Sequence, residues 1–530
     1  MSALLILLLS LSPANAQDRY VAPGAADTGD CTDSQSPCGT IKYAVGLAGA
    51  GDTIFVDSGT YTATTSFPIN VAGQKIIGEG ASVTKIVPSV ASPNLVLDFS
   101  SMNAELKGLA ITGITGSNSA AVRVAPGALS GTFDVSLSDL KISNNSGRGI
   151  DILGTSNALD LTLKNSTISN NAEHGIHLEW SEGPTNVTLT GNTIANNGES
   201  GLVASISSSG NTPHADRWTI TNNEFYSNGY SGMDLEWVYR QDIDVTVQNN
   251  TFSNNGYDGL YVNDSGTYGL ARWLVKENEF LGNGDAGLFA YWTDQNFDVL
   301  VSSNTFSNNN HSTTSSWSGQ LGFSIGSSNY GSVDLIGNTI VDGGTNGIYY
   351  WFDSYNGIAA DIEHNTITGN ARNGIQAWAT EDTAHVSMNI IGNLIDDNGE
   401  DGINIGITDS SYNAFYALIE NNTVTNNAEN GIALYNTYTT SNNLGASIRS
   451  NAIEDNGEDG VYIDVSYGGF IGDLYGNVIR HNAQNGIHIY DTSCYVGFHL
   501  GLKHNTIENN ANSYSDSNYY DVAHSDSYAK

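Results

Sequence analysis

Two short stretches of the sequence gather side chains suited to acid–base work. His174-Gly-Ile-His-Leu-Glu-Trp180 is answered by Gly232-Met-Asp-Leu-Glu-Trp237. In extended chain every second residue shares a face, so His177 stands beside Glu179 and Asp234 beside Glu236. Two carboxyl groups about 6.5–9.5 Å apart can act as acid and base across a glycosidic bond with a water between them. A histidine among carboxylates can shuttle the proton instead. His177, Glu179, Asp234 and Glu236 are therefore the candidate catalytic residues. The competing reading is that polar surface residues recur because the units carrying them recur.

Other candidates surround these. Trp180, Trp237, Trp292, Trp351 and Trp378 fall at or just after the corresponding extended segment of different units. Flat rings along an outward edge suit stacking against sugar faces, although aromatics at strand ends also pack on turns. Lys276, with Arg240 and Arg272, is the basic residue near the acidic patch that could neutralise a uronate and take its proton. Glu400, Glu429 and Glu458 each stand two residues before a glycine, with Asp401 and Asp459 beside them. Stacked about 4.8 Å apart, such carboxylates either splay into water or share a cation such as calcium. No His or Cys spacing suggests zinc.

The element that must position these groups is a repeat. Asn365-Thr-Ile-Thr-Gly-Asn-Ala-Arg-Asn-Gly-Ile375 has near-copies from about residue 140 to residue 512. Aligned on Gly149, Gly175, Gly201, Gly232, Gly259, Gly287, Gly322, Gly347, Gly374, Gly402, Gly431, Gly460 and Gly486, the units are mostly 25 to 31 residues long, with one of 35 before Gly322. That length fits one turn of a three-sided coil of short strands. Period-two alternation, as in Asp244-Val-Thr-Val-Gln248, excludes helical repeats. Two asparagine columns, one through Asn192 and Asn223 and one through Asn197 and Asn228, predict stacked amide ladders at the turns. Gly343 is the one gap in the second column. The column Ile194, Phe225, Phe252, Phe280, Phe306 is read as core.

The remainder bounds the class. Residues 1–16 carry an apolar run ending in Ala14-Asn-Ala16 and read as a secretory signal. Residues 17–48 form a loop and a short helix whose face Ile41, Ala44, Val45, Ala48 can cap the first coil. Coils run over 49–510, and a polar tail over 511–530. No later stretch is apolar and long enough to span a membrane. Of three cysteines, Cys31 and Cys38 lie seven apart and are read as a disulfide, leaving Cys494 over. A formal charge of −37 argues against nucleic acid or anionic membrane as partner, and equally against unaided binding of a polyanionic sugar.

The pattern resembles the right-handed parallel β-helices of the pectin lyase-like superfamily. Tyr20-Val-Ala-Pro, the Cys31 to Cys38 loop, Ala50-Gly-Asp-Thr-Ile54 and Gly59-Thr-Tyr61 resemble the amino-terminal region of many secreted members. The resemblance implies an all-β solenoid and is silent on function, since that fold hosts lyases, hydrolases, epimerases, adhesins and structural proteins. No Asp-Pro-His motif of the epimerase kind is present, nor a clear lysine–arginine constellation of the lyase kind. The expectation is a secreted or cell-surface protein that engages extracellular polysaccharide along an aromatic and acidic edge. A glycoside hydrolase or uronate lyase is the second reading, and a structural or adhesive protein the third.

Overall fold

The computed structural model describes residues 16–530 except 63–66, 89–94, 102, 117–118, 127–130, 209–214, 240–241, 267–268, 312–317, 327–329, 354–355, 381–384, 408–413, 437–442, 467–468, 492–497, 517–521, 525–527 and 530. Residues 1–15 of the expected signal segment, Arg240 and Cys494 lie outside the described residues.

Each coil contributes one strand to each of three parallel sheets. The strand after the repeat glycine, such as Met233–Val238, belongs to the first sheet. A seven-residue strand such as Asp242–Gln248 forms the second, and a three-residue strand such as Thr251–Ser253 the third. Register is strict because a slip of one residue would turn the apolar set outward. Thus Ile176, Leu202, Met233 and Leu260 stack in line.

Both predicted amide ladders are present. Asn192 Nδ2 donates to Asn223 Oδ1 at 2.9 Å, and Asn223 to Asn250 at 3.0 Å. In the second ladder Asn197 donates to Asn228 and Asn228 to Asn255, each at 3.0 Å. The same carbonyl oxygens accept backbone N–H groups, so the turn interior satisfies its polar atoms coil by coil. Asn196, Asn222, Asn249 and Asn254, each just before a ladder residue, take φ of 53 to 56°, a left-handed conformation asparagine tolerates. The phenylalanine column stacks at centroid distances of 5.1, 4.9 and 4.7 Å.

The ladder gap at Gly343 has an unexpected solution. Gln320 accepts from Asn309 Nδ2 at 3.1 Å and donates to Asn370 Oδ1 at 2.8 Å, so its longer amide bridges the missing rung. A Cβ at position 343 would stand 2.5 Å from the Gln320 side chain. The alignment on Gly322 is corrected here. Gln320 occupies the repeat-glycine position, while Gly322 pairs with Phe289 and Tyr349, two residues further along the strand.

At the amino end the helix Ile41–Leu47 is N-capped by the Thr40 hydroxyl and buries Ile41, Ala44 and Val45 against the first coil. The Cys31–Cys38 disulfide is present, with a Cα–Cα distance of 5.2 Å. Parallel pairing continues past residue 510, since Asn512–Asp516 pairs with Asn485–Asp491.

Candidate functional site

In the strand after each glycine, positions one, three and five face inward, and positions two and four face out. This parity sorts the sequence candidates. His177, Glu179, Asp234 and Glu236 all lie on the outer face of the first sheet. In register, His177 is followed by Val203 and Asp234, and Glu179 by Ser205 and Glu236. The structure therefore brings the four together, with the two glutamates two coils, or about 9.6 Å, apart along the coil axis. Ser205 Oγ donates to Glu236 Oε2 at 3.3 Å.

His177 is engaged on the side away from Asp234. Its Nδ1 lies 2.7 Å from Asp151 Oδ1, one coil below, and Arg148 Nη1 is 2.9 Å from the same oxygen. Burial alone would raise the Asp151 carboxyl, but the hydrogen bond from His177 and the charges of Arg148 and His177 outweigh it and hold Asp151 below its ordinary range. Burial, with His177 and Arg148 as neighbours, pushes His174 down to about 4. His174 is accordingly neutral, with Nδ1 accepting from the Ser200 N–H at 3.2 Å and Nε2 2.9 Å from Glu199. Burial and then Glu236 push Asp234 up to about 6. Asp234 thus keeps a proton in mildly acidic solution, where Glu179 stands exposed.

The tryptophans divide. Trp180, Trp237 and Trp292 occupy the fifth position, face inward and are 0, 0 and 1% exposed. They are core, and the reading that placed them on an outer edge is corrected by period-two alternation. Trp237 makes edge contacts with Trp218 and Trp273 at 5.3 and 5.4 Å inside the solenoid. Trp351 and Trp378 occupy the fourth position, pair in register and are only partly buried, on the outer face. Lys276 ends Leu270–Lys276 in the second sheet and lies 3.2 Å from Glu277. It is on a different side of the coil from the acidic cluster, and Arg272 pairs with Asp244 there too.

The acidic column also divides. Glu400, Glu429 and Glu458 follow one another on adjacent coils, linked by backbone N–H to O bonds of 3.2 and 2.9 Å. Arg372 lies 3.5 Å from Glu400. Asp401 and Asp459 point into the turn instead and are 1 and 3% exposed. They are rungs of a third ladder running Asn346, Asn373, Asp401, Asn430, Asp459, Asn485, with amide and backbone donors at 2.7–3.1 Å. The two aspartates therefore accept protein N–H groups where the sequence suggested a cation. Among the described residues no group of three His, Cys, Asp or Glu side chains is gathered closely enough to hold a metal ion.

A histidine pair that the sequence reading passed over lies at the far end of the same face. His488 Nδ1 is 2.7 Å from Asp459 Oδ2, and its ring meets Tyr462 edge-on at 5.1 Å. Tyr462 follows Tyr435, which lies near-parallel to Trp378 at 6.1 Å. The signal available in the sequence was positional: these side chains fill the outward second and fourth positions of successive units.

A three-sided parallel coil with amide ladders at its turns defines the class as a parallel β-helix. The family described as right handed beta helix region matches residues 104–216, 128–306 and 213–391, together more than half of the chain, and the chain belongs to that family. Among solved structures it is similar to pectate lyase Pel9A, at 14% identity over 57% of this chain and 80% of that one, with a TM-score of 0.35. It is similar to a rhamnogalacturonan lyase at 16% identity, over 66% of this chain and 82% of that one, with a TM-score of 0.35. The A-module of the Azotobacter vinelandii mannuronan C-5 epimerase AlgE4 aligns over 96% of this chain and 100% of that one, at 15% identity and a TM-score of 0.27. These likenesses describe the coil and carry nothing about chemistry. A search of curated proteins found no match.

Proposed function

We propose that the protein is secreted and binds extracellular polysaccharide along the outer face of the first sheet. The observation that supports this is the composition of that face, where the cluster His177, Glu179, Asp234, Glu236 and the partly buried rings of Trp351 and Trp378 share the outer side of one sheet. A linear polymer lying along the coil axis meets a new outward pair of side chains about every 4.8 Å. Aromatic faces take sugar rings, and carboxylates take hydroxyl hydrogen bonds. Calcium is proposed only as a bridge to the Glu400, Glu429 and Glu458 column.

A second reading, hydrolysis of the bound chain, is favoured by one geometric fact. Glu179 and Glu236 share an outward column two coils apart, near the upper end of the separation that inverting glycosidases use. Glu236 stands beside Asp234, whose carboxyl burial and then Glu236 push up to about 6, so a protonated neighbour is available to that pair in mildly acidic solution. The test is a screen of the protein against neutral and acidic polysaccharides, with and without calcium, scoring retention and new reducing ends. Retention without cleavage supports binding alone. Cleavage abolished by Glu179→Gln or Glu236→Gln supports hydrolysis, and no retention of any polymer overturns both readings.

A further inference from the structure

Trp378 fills the space above Gly406 on the next coil, where an added Cβ would stand 2.6 Å from the indole ring. Beyond that glycine its plane lies 12° from that of Tyr435, at a centroid distance of 6.1 Å. Tyr462 continues the row at 5.7 Å and His488 closes it at 5.1 Å. Four coil steps separate Trp378 from His488, so the row is about 19 Å long. All four side chains are half-buried, in contrast to the 0–1% exposure of the inward tryptophans 180, 237 and 292.

The end of the row is rigid. Asp459 Oδ1 accepts both the backbone N–H and the side-chain amide of Asn485 at 2.7 Å, which fixes the carboxylate. Its other oxygen takes His488 Nδ1 at 2.7 Å. An imidazole donating from Nδ1 to a held carboxylate presents a lone pair at Nε2. Asp464 lies beside it, accepting from Ser466 Oγ at 2.5 Å and 3.5 Å from the Tyr462 hydroxyl.

The charge of the face selects among sugars. Arg123 is paired with Asp98 at 2.6 Å, Arg148 with Asp151 at 2.9 Å and Arg372 with Glu400 at 3.5 Å. Each of these guanidinium groups is thus already matched by a carboxylate of its own. The row itself is flanked by Asp464, Glu429 and Glu458, which would repel a uronate.

We propose that Trp378, Tyr435, Tyr462 and His488 form a subsite for a neutral polysaccharide. The three rings stack on sugar units, and His488 Nε2 accepts a hydroxyl proton in a hydrogen bond. This rests on the polysaccharide reading above and narrows it to an uncharged polymer.

The test measures affinity of the full chain for neutral polymers (xylan, β-glucan, galactomannan) and anionic ones (pectate, alginate). Variants are Trp378→Ala, Tyr435→Ala, Tyr435→Phe and His488→Ala, with Tyr416→Ala on the second sheet as control. The expected result is binding of a neutral polymer that weakens about tenfold in Trp378→Ala and Tyr435→Ala, and a few-fold in His488→Ala. Tyr416→Ala should bind as the parent, Tyr435→Phe, which keeps the ring, should recover most of what Tyr435→Ala loses, and all five variants should remain folded at the temperature of the binding measurement. Neutral binding unchanged in both ring deletions overturns the subsite while leaving polysaccharide binding intact. Binding confined to pectate or alginate overturns the neutral class. Absence of binding to any polymer removes the wider reading, and the subsite with it.

Discussion

The two halves of the first sheet carry the same residue types on opposite sides. In the amino-terminal half the tryptophans stand at the fifth position after the glycine and fill the interior, while the outer face is charged. In the carboxy-terminal half they stand at the fourth position, and the outer face is a row of rings ending in a histidine. One residue of offset therefore separates a core side chain from a surface one. Because the coil repeats, each choice is then stacked upon its neighbour, and a half of the molecule acquires a character of its own.

The largest test of this contrast is a pair of truncations. Trp237→Ala removes a fully buried indole and its edge contacts with Trp218 and Trp273, and should cost about 3–5 kcal/mol. Trp378→Ala should cost less, about 1–2 kcal/mol, because that ring lies on the outer face and is only partly buried. Urea unfolding read together with hydrogen exchange coil by coil measures both, since a solenoid can open in parts. Equal losses would break the distinction between the two positions.

A second comparison sets the two histidine–carboxylate pairs side by side. Asp459 is a ladder rung held by Asn485, whereas Asp151 is held by Arg148 and is more open, with 11% of its side chain exposed against 4%. Asp459→Ala leaves the Asn485 N–H, its amide and His488 without an acceptor and should cost about 3 kcal/mol or more. Asp459→Asn should cost less than about 1 kcal/mol, because asparagine occupies the rungs on either side. If the alanine and asparagine variants lose equal protection at the Asn485 turn, Asp459 is not acting as a rung.

Much of this was legible in the sequence and part of it was not. The coil, the first two ladders, the phenylalanine stack, the capping helix and the Cys31–Cys38 bridge were all readable, since each buries one residue type at a fixed spacing. The shared outward face of His177, Glu179, Asp234 and Glu236 was readable from the spacing alone. The tryptophans were misplaced because proximity to a strand end does not give the side on which a ring falls; only the count from the glycine does. At Gln320 the repeat glycine is replaced by a long amide, and Gly322 two residues on imitates the missing one. The third ladder shows in the sequence only as Asn or Asp just before the glycine from Asn346 onward, and its aspartates read as free acids until their donors are seen.

The pH dependence of two buried carboxylates sharpens the same contrast, with opposite signs. Burial pushes Asp401 up to about 6, against 3.8 for an unperturbed carboxyl, although amide donors from Asn430 oppose it. Its folded form keeps a proton that the unfolded chain releases, so this contribution is complete below about pH 4 and is lost as pH rises towards 6. Asp401→Asn should therefore gain most, up to about 2–3 kcal/mol, at pH 7 and almost nothing at pH 3. Asp151 is held below its ordinary range, so its contribution is present above about pH 4 and is lost as pH falls through the lowered value. Asp151→Asn should cost stability at pH 7 and little at pH 2. Unfolding curves across this range would break the comparison if both variants moved in the same direction.

The smallest expected effect comes from Arg148, and it addresses whether the two histidine pairs differ in kind. Arg148 Nη1 lies 2.9 Å from Asp151 Oδ1 and 3.2 Å from His177 Nδ1, with Nε 3.6 Å from Glu173. Among the described residues no such guanidinium meets the His488 ring, which faces Tyr462 and the two carboxylates Asp459 and Asp464. At His177 the cation competes for the carboxylate oxygen that would otherwise fix the ring. Because the Arg148 side chain is 32% exposed, Arg148→Gln should cost only about 1 kcal/mol of stability. Its sharper consequence is at the imidazole, where Asp151 Oδ1 becomes free to accept from His177 Nδ1 alone. Nitrogen NMR of the His177 ring should then move towards the Nδ1–H form that the Asp459 contact imposes on His488. A His177 spectrum unchanged by Arg148→Gln would mean that Asp151 already dictates the tautomer, and that the two ends of the face hold their histidines in the same way.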